Sequence, residues 1–310
     1  MRIVISEFMD EQAVSLLARH FDVRYDPSLV EREVELENAL ASANALIVRN
    51  RTKVTAALIS GASSLAVVGR LGVGLDNIDV DACAARDIRV IPATGANAQA
   101  VAEYVIAAAL ILLRGAYGST QAVANGNWLR AQLSEGRELA GRTLALIGFG
   151  GIGRLTGRLA RALDLRVVAY DANIASDATV WRQESTTPVA IERALAEADI
   201  VSLHVPLDAS TRNLIDARQL SMMKRDAILI NTSRGGIIDE TAVAAALRAN
   251  QLGGAALDVF EHEPLAASSP LADCPRLLLT PHIAGITRES NVRVSMMIAE
   301  KVAAALAGRA

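Results

Sequence analysis

The sequence predicts an α/β protein made of two doubly wound parallel-sheet domains. Short runs rich in Val, Ile and Leu alternate with helical patterns in both halves of the chain, the rhythm of parallel strands covered by helices. One such run leads into a glycine string that opens a helix. The 310 residues, 52% of them hydrophobic, suffice for two domains that each bury a core. With only 3% aromatic residues, those cores must be built from Ala, Val, Leu and Ile.

From Arg2 to Pro92, "RIVIS", "FDVRY", "ANALIVRN", "LAVVGR" and "IRVIP" are strand-like, and "DEQAVSLLARH", "REVELENALA", "TAALIS" and "DVDACAARD" supply the intervening helical patterns. The acidic run "EREVELE" is expected to be a solvated helix face. A long helix follows, roughly Ala98 to Tyr117, apolar nearly all round and therefore expected to be buried. After a polar connection through "NGNWLR" and "GRELAG", the alternation restarts at Thr143 and runs to about Pro281. Its strands are "LALIGF", "RVVAY", "DIVSLHV", "AILINT", "GGAALD" and "LLLT". The halves share an architecture without a convincing sequence repeat. The segment "TRESNVRVSMMIAEKVAAALAG" reads as one amphipathic helix in which Met296 and Met297 fill core.

A formal net charge of -3 provides no general attraction for nucleic acid or an anionic membrane, so an anionic ligand must be met by local cations. The start "MRIVISEFMDEQ" lacks the apolar centre of a signal peptide, and the apolar run Tyr104 to Leu113 is too short to span a bilayer. Cys83 and Cys274 have no C-x-x-C spacing and are expected to be buried thiols. The expectation is a soluble, cytoplasmic protein without nucleic-acid or membrane partners; no residues are assigned to a metal.

Within "ALIGFGGIGRLTGRLARALDLRVVAYD", Gly148, Gly150 and Gly153 fit G-x-G-x-x-G. Alone that match is weak, but a strand precedes it, a helical pattern follows, and the next strand ends in an acid about 20 residues on. The first glycine allows the turn, the second admits a pyrophosphate to the backbone, and the third lets helix and strand approach. The helix N-terminus adds amide donors and partial positive charge. Asp171 can accept hydrogen bonds from both ribose hydroxyls and would repel a 2′-phosphate, so NAD is favoured over NADP; the competing reading is an ordinary turn with Asp171 as a strand-end cap.

A nicotinamide enzyme acting on a hydroxyl needs a base, and a cation to hold and polarise the substrate. There are four histidines: His20 in a first-domain helical pattern, His204 at a strand end, His262 in "FEHEP" and His282 in "LLLTPHIAG". His282 follows a strand at the carboxyl edge, where α/β sheets place ligands. Glu263 lies in another strand-exit loop at that edge and could fix the imidazole tautomer and stabilise the imidazolium. Arg234, in "LINTSRGG", lies at a third strand exit, where its fork suits a carboxylate. Singly, Arg234 also reads as a cap or surface ion pair, Glu263 as a loop acid and His282 as a satisfied buried imidazole.

"LIGFGGIGR", "DIVSLHVPL", "LINTSRGGIIDE", "GAALDVFEHEPL" and "LLLTPHIAG" together resemble the D-isomer-specific 2-hydroxyacid dehydrogenase family over nearly the entire chain. The resemblance implies a Rossmann NAD-binding domain (98–283) and a flavodoxin-like substrate-binding domain (1–97 plus 284–310) with an interdomain cleft, the helix from Ala98 bridging the two. It implies that Arg234 binds the substrate carboxylate, that His282 is the acid/base and that Glu263 pairs with it. Cofactor contacts would fall at Gly148, Gly150, Gly151, Ile152, Gly153, Asp171, His204, Pro206, Thr232, Ser233, Arg234, Asp258, His282 and Gly285, with Asp258 at the nicotinamide carboxamide. The amides of Val73 and Gly74 would meet the substrate carboxylate, and a homodimer through the cofactor domain is expected.

Asn50 and Arg51 with Arg49, and Arg70 near Val73, bring more cations than one carboxylate needs, which suits a dianion; surface ion pairing is the alternative. "ISEFMDE", "VRNRTKV" and "GRLGVGLDNIDVDAC" are similar to the branch containing (S)-sulfolactate dehydrogenase, with phosphoglycerate and hydroxypyruvate enzymes as near relatives. The chain's length leads to the expectation of no appended regulatory domain. The same fold also serves NAD-sensing corepressors, which keep these residue types, so a binding protein is the second reading.

Overall fold

The computed structural model describes residues 1–308, which divide into two compact units, Met1–Asn97 with the segment from Ile286 onward, and Ala98–Gly285. Ala284 and Gly285 thus stay with the second unit rather than starting the return to the first.

In the first unit β1 (Arg2–Ile5), β2 (Asp22–Tyr25), β3 (Ala45–Val48), β4 (Val67–Arg70) and β5 (Arg89–Pro92) form a parallel sheet in the order β2-β1-β3-β4-β5. This is the flavodoxin-like order. Helices α1 (Glu11–Ala18), α2 (Glu33–Leu40), α3 (Ala56–Ser60) and α4 (Val80–Ala84) occupy the crossovers. Both sheet faces are covered, so β3 is buried throughout and its sequence, ALIV, is a continuous apolar run. Ile3, Ile5 and Ile47 pack on one face with Leu17, Ile298 and Val302, while Val4, Leu46 and Val48 pack on the other with Leu36, Leu40 and Leu58. The last helix, Arg288–Ala307, opens with a capping box between Thr287 and Ser290. It seats closely on β4: a Cβ on Gly69 would lie 2.8 Å from Ile298 and from Val302. Met296 and Met297 pack against this core, half-buried. His20 falls in a turn just beyond α1, not in the helix.

In the second unit β6 (Thr143–Ile147), β7 (Arg166–Tyr170), β8 (Thr187–Pro188), β9 (Ile200–Leu203), β10 (Ile228–Asn231), β11 (Gly254–Leu257) and β12 (Leu277–Leu279) form a parallel sheet ordered β12-β11-β10-β9-β6-β7-β8. The order reverses between β6 and β9, the switch point at which such sheets bind ligands. Its helices are α5 (Ala98–Arg114), α6 (Thr120–Ala124), α7 (Gly151–Arg161), α8 (Thr179–Gln183), α9 (Ile191–Glu197), α10 (Ala217–Met222) and α11 (Glu240–Arg248).

The expectations for the long helix and for Cys274 need correction. The helix from Ala98 ends at Arg114 because Gly115 turns to φ +65°, and it is not buried all round: Leu110 and Ile111 are 43% and 37% exposed. Cys83 is buried, but Cys274 is only partly so, on a turn between β11 and β12. No single helix among the described residues is long and apolar enough to cross a membrane.

Candidate active site

The glycine loop leaves β6 at Ile147. Gly148 takes φ +97° and donates its amide to the Tyr170 carbonyl at 2.7 Å; a Cβ there would lie 2.5 Å from the His204 carbonyl oxygen. A Cβ on Gly153 would lie 2.3 Å from the Gly148 carbonyl oxygen, so the first turn of α7 meets the loop backbone to backbone. Gly150 and Gly151 differ, since nothing lies within 4 Å of a Cβ built on either. Gly150 is the N-cap and has no side chain to satisfy the first amides of α7, and Ile152 follows half-buried. Phe149 anchors the loop from below, fully buried and stacked on Trp181 at 4.7 Å.

Asp171, at the end of β7, accepts from the Phe149 amide at 2.7 Å through one oxygen and from the Asn173 amide at 2.9 Å through the other. It therefore caps its own turn and braces the glycine loop, and each oxygen keeps a second lone pair for a ribose hydroxyl. Thr232 Oγ1 is buried without a hydrogen-bond partner among the described residues, and the neighbouring Ser233 hydroxyl donates to the Leu203 carbonyl at 2.6 Å. His204 places Nε2 3.0 Å from the Ser202 hydroxyl, and burial pushes its pKa down to about 4, so the ring is neutral at pH 7. Pro206 lies exposed just beyond it. Open space above Gly150 and Gly151, uncapped amides, a carboxylate at the next strand end and an orphan hydroxyl fit a dinucleotide.

The other candidate groups leave the neighbouring strands β10, β11 and β12. Asp258, just after β11, is 1% exposed. One of its oxygens accepts from the Thr280 hydroxyl at 2.6 Å and the Ile283 amide at 2.8 Å, and the other accepts from the Ala284 amide at 2.8 Å. Its carbonyl accepts the His282 amide at 2.8 Å, and His282 takes φ +56°, a left-handed conformation that is uncommon for histidine. Tyr104 of α5 closes the chain of bonds: its hydroxyl donates to Thr280 Oγ1 at 2.6 Å, because the Thr280 proton is directed at Asp258. Burial and the nearby Asp258 charge hold the Tyr104 pKa above the ordinary phenolic value.

So braced, His282 is exposed and its Nδ1 lies 2.8 Å from Glu263 Oε2, which rules out the buried-imidazole alternative. Glu263 is itself fixed, since its other oxygen accepts from the Phe260 amide at 3.0 Å. With Nδ1–H directed at the carboxylate, Nε2 carries the lone pair and makes no hydrogen bond among the described residues. The Arg234 loop adjoins: a Cβ on Gly235 would lie 1.8 Å from the Phe260 carbonyl oxygen, so only glycine permits this approach. Asn231 holds that loop from within, donating to the Arg234 carbonyl at 2.9 Å and accepting from the Ser233 amide at 3.0 Å, while Arg234 Nη1 donates to the Ser233 carbonyl at 2.6 Å. Histidine and glutamate are thus in contact, and the loop after Arg234 packs on the Phe260 backbone three residues before Glu263. Gly285 follows Ala284 at the end of the same unit. Asp258, assigned from the sequence to the nicotinamide carboxamide, already receives three donors and is first a brace for His282.

In the first unit the amides of Val73 and Gly74, after β4, make no hydrogen bond among the described residues, and Asn50 is exposed on the β3 exit loop. Arg51 pairs with Glu31 at 3.0 Å, both largely exposed, a weak contact that a ligand anion can displace.

Comparison with known proteins gives the class. Residues 106–284 match the family described as D-isomer specific 2-hydroxyacid dehydrogenase, NAD binding domain. The chain is 50% identical to (S)-sulfolactate dehydrogenase of Chromohalobacter salexigens, over 99% of each chain. It is 35% identical to D-3-phosphoglycerate dehydrogenase of Archaeoglobus fulgidus over 97% of its own residues, and spans only 56% of that protein. Its structure is similar to that of the TT0316 protein from Thermus thermophilus, with a TM-score of 0.89, 32% identity, and 99% and 97% of the two chains covered. The chain belongs to the D-isomer specific 2-hydroxyacid dehydrogenase family, and its second unit is that family's NAD-binding domain.

Proposed function

We propose that this protein is an NAD-dependent dehydrogenase that interconverts a 2-hydroxy acid and its 2-keto acid, that Arg234, Glu263 and His282 carry the chemistry, and that the preferred substrate bears a second anionic group, as sulfolactate and 3-phosphoglycerate do. Hydroxypyruvate-type acids are the monoanionic alternative. The observation that carries the reading is the 2.8 Å contact between His282 and Glu263, in the unit that also holds the glycine loop.

When bound, the nicotinamide supplies the two-electron oxidant or reductant. The residues of the chain handle the proton and the charge. His282 Nε2 takes the C2 hydroxyl proton during oxidation and returns it during reduction, while Glu263 offsets the positive charge that forms on the ring. The Arg234 guanidinium holds the substrate carboxylate and stabilises developing charge on the C2 oxygen. Asn50, Arg51 and the free amides of Val73 and Gly74 are assigned as the remaining anion donors. The glycine loop and Asp171 hold the pyrophosphate and ribose, and Thr232 and Asp258 lie on the nicotinamide side.

The same reading includes a homodimer and a cytoplasmic location. Leu110 and Tyr117 line an open groove of about 450 Å3 with Leu113 and Leu163, and Leu110, Tyr117 and Trp128 are 43%, 64% and 77% exposed, apolar surface of the kind a second copy covers. Light scattering on the purified protein checks the dimer. The two free cysteines accord with a reducing compartment.

The test of function is NAD reduction followed spectrophotometrically across sulfolactate, 3-phosphoglycerate, glycerate, lactate and malate. The highest kcat/KM is expected for a dianionic acid. Tight NAD binding without reduction by any acid of the panel overturns the dehydrogenase reading in favour of an NAD sensor.

A further inference from the structure

Three stretches far apart in sequence, "ISEFMDE", "VRNRTKV" and "GRLGVGLDNIDVDAC", meet in the first unit around one loop, Arg49–Thr52. At its centre is Glu7, a carboxylate only 4% exposed. Its Oε1 accepts from the amides of Arg49 at 2.8 Å and Thr52 at 2.9 Å, and its Oε2 accepts from the amide of Arg51 at 3.1 Å. From the opposite side, Asn77 Nδ2 donates to the carbonyls of Arg49 at 3.2 Å and Thr52 at 2.7 Å. The Ser6 and Thr52 hydroxyls are 2.9 Å apart. Flanking the loop, the Arg49 guanidinium lies over the Phe8 ring at 5.8 Å and donates to Asn291 Oδ1 at 2.8 Å.

Burying a carboxylate to close a surface loop is expensive when neutral acceptors would do, and among the described residues Glu7 is held by three backbone amides, with the charge of Arg49 acting on it only at longer range. What the arrangement achieves is order. Of the loop's four amides Glu7 takes three, and the Asn50 amide has no acceptor among the described residues. The exposed Arg51 side chain and a free Asn50 amide are then presented from a backbone pinned on both sides. A sulfonate or phosphate, with three outward oxygens, is held best by donors that need not be ordered at binding.

We propose that Glu7 is a positioning residue for substrate selection: through the loop amides it fixes Arg49–Thr52 as a platform for the substrate's second anionic group, and it touches no substrate itself. This rests on the dianionic-substrate reading above and deepens it. Under the proposed function Arg234 takes the substrate carboxylate, so a change at Glu7 is read on the second anionic group alone.

The test is steady-state kinetics on the full chain with sulfolactate and with lactate, for the wild type, Glu7→Gln and Asn77→Ala. Glutamine keeps the size of Glu7 but turns one acceptor into a donor, and Asn77→Ala slackens the loop from its carbonyl side. Each variant is expected to raise the KM for sulfolactate about tenfold, the equivalent of one lost anion contact, with kcat within about twofold and the lactate KM and NADH affinity unchanged. Should Glu7→Gln fail to fold, Asn77→Ala decides alone. A wild type that prefers sulfolactate and variants that keep the full preference overturn the role of Glu7 and leave the substrate class standing. A wild type with no preference overturns the substrate class, and this proposal with it.

Discussion

Gly150→Ala separates cofactor binding from folding. Gly150 has φ −73° and ψ −161°, a backbone open to alanine, and nothing lies within 4 Å of the added methyl. Stability should therefore change by no more than about 0.5 kcal/mol. The methyl would occupy the space through which a pyrophosphate reaches the uncapped amides of α7. Losing one amide bond to a charged oxygen costs about 1.5–3 kcal/mol, so NADH should bind about 10- to 150-fold more weakly. Gly153→Ala is the counterpart: its Cβ would lie 2.3 Å from a backbone oxygen, and the forced separation of α7 from the loop should destabilise the fold by about 1–3 kcal/mol or more. NADH fluorescence titration and urea unfolding on the same preparations give both quantities. Wild-type NADH affinity in Gly150→Ala, or instability matching that of Gly153→Ala, refutes the reasoning.

His282→Ala should lower turnover by about a hundredfold or more while NADH still binds, and Glu263→Gln, which removes the charge and sets an NH2 donor against either the Phe260 amide or His282 Nδ1, by about fivefold or more; stopped assays of kcat check both. Thr280→Val strips a donor from buried Asp258 and an acceptor from Tyr104, so it should cost about 1–3 kcal/mol in urea unfolding and reduce kcat through the loosened His282 loop, whereas Thr280→Ser should retain both. His204, at about 4 in the fold against 6.5 when unfolded, is stabilising as the neutral ring. That contribution is complete above pH 6.5 and is lost as pH falls towards 4, about 3 kcal/mol across the window. The difference in unfolding free energy between wild type and His204→Gln, measured at pH 7.5 and 4.5, should show it.

The strands were legible wherever both faces are buried, because ALIV in β3 is apolar throughout and ILIN in β10 is apolar up to its last residue, the buried Asn231. The strand β8 was not, since Thr187–Pro188 is a two-residue edge with no periodicity to detect. Meeting of the Glu263 and His282 loops follows from parallel strand order alone, β11 lying beside β12. The polar bracing behind them has no such signal. Tyr104 and Thr280 are 176 positions apart, Glu7 reaches a loop more than 40 residues on, and nothing in "TPHIAG" announces a left-handed histidine. Such contacts are set by side chains that converge only after the sheets form.

The first unit cannot be completed in the order in which a ribosome delivers it. One face of its sheet, with Ile3, Ile5, Ile47 and Val67, gains Ile298, Ala299 and Val302 only after the whole second unit has been synthesised. Throughout that interval the nascent chain displays a greasy surface, and Gly69 keeps a slot in it vacant for a helix still to be translated. Chaperone engagement during translation should therefore concentrate on the earliest segment of the polypeptide, and a premature stop just before Arg288 should yield an aggregating product even though every strand is present.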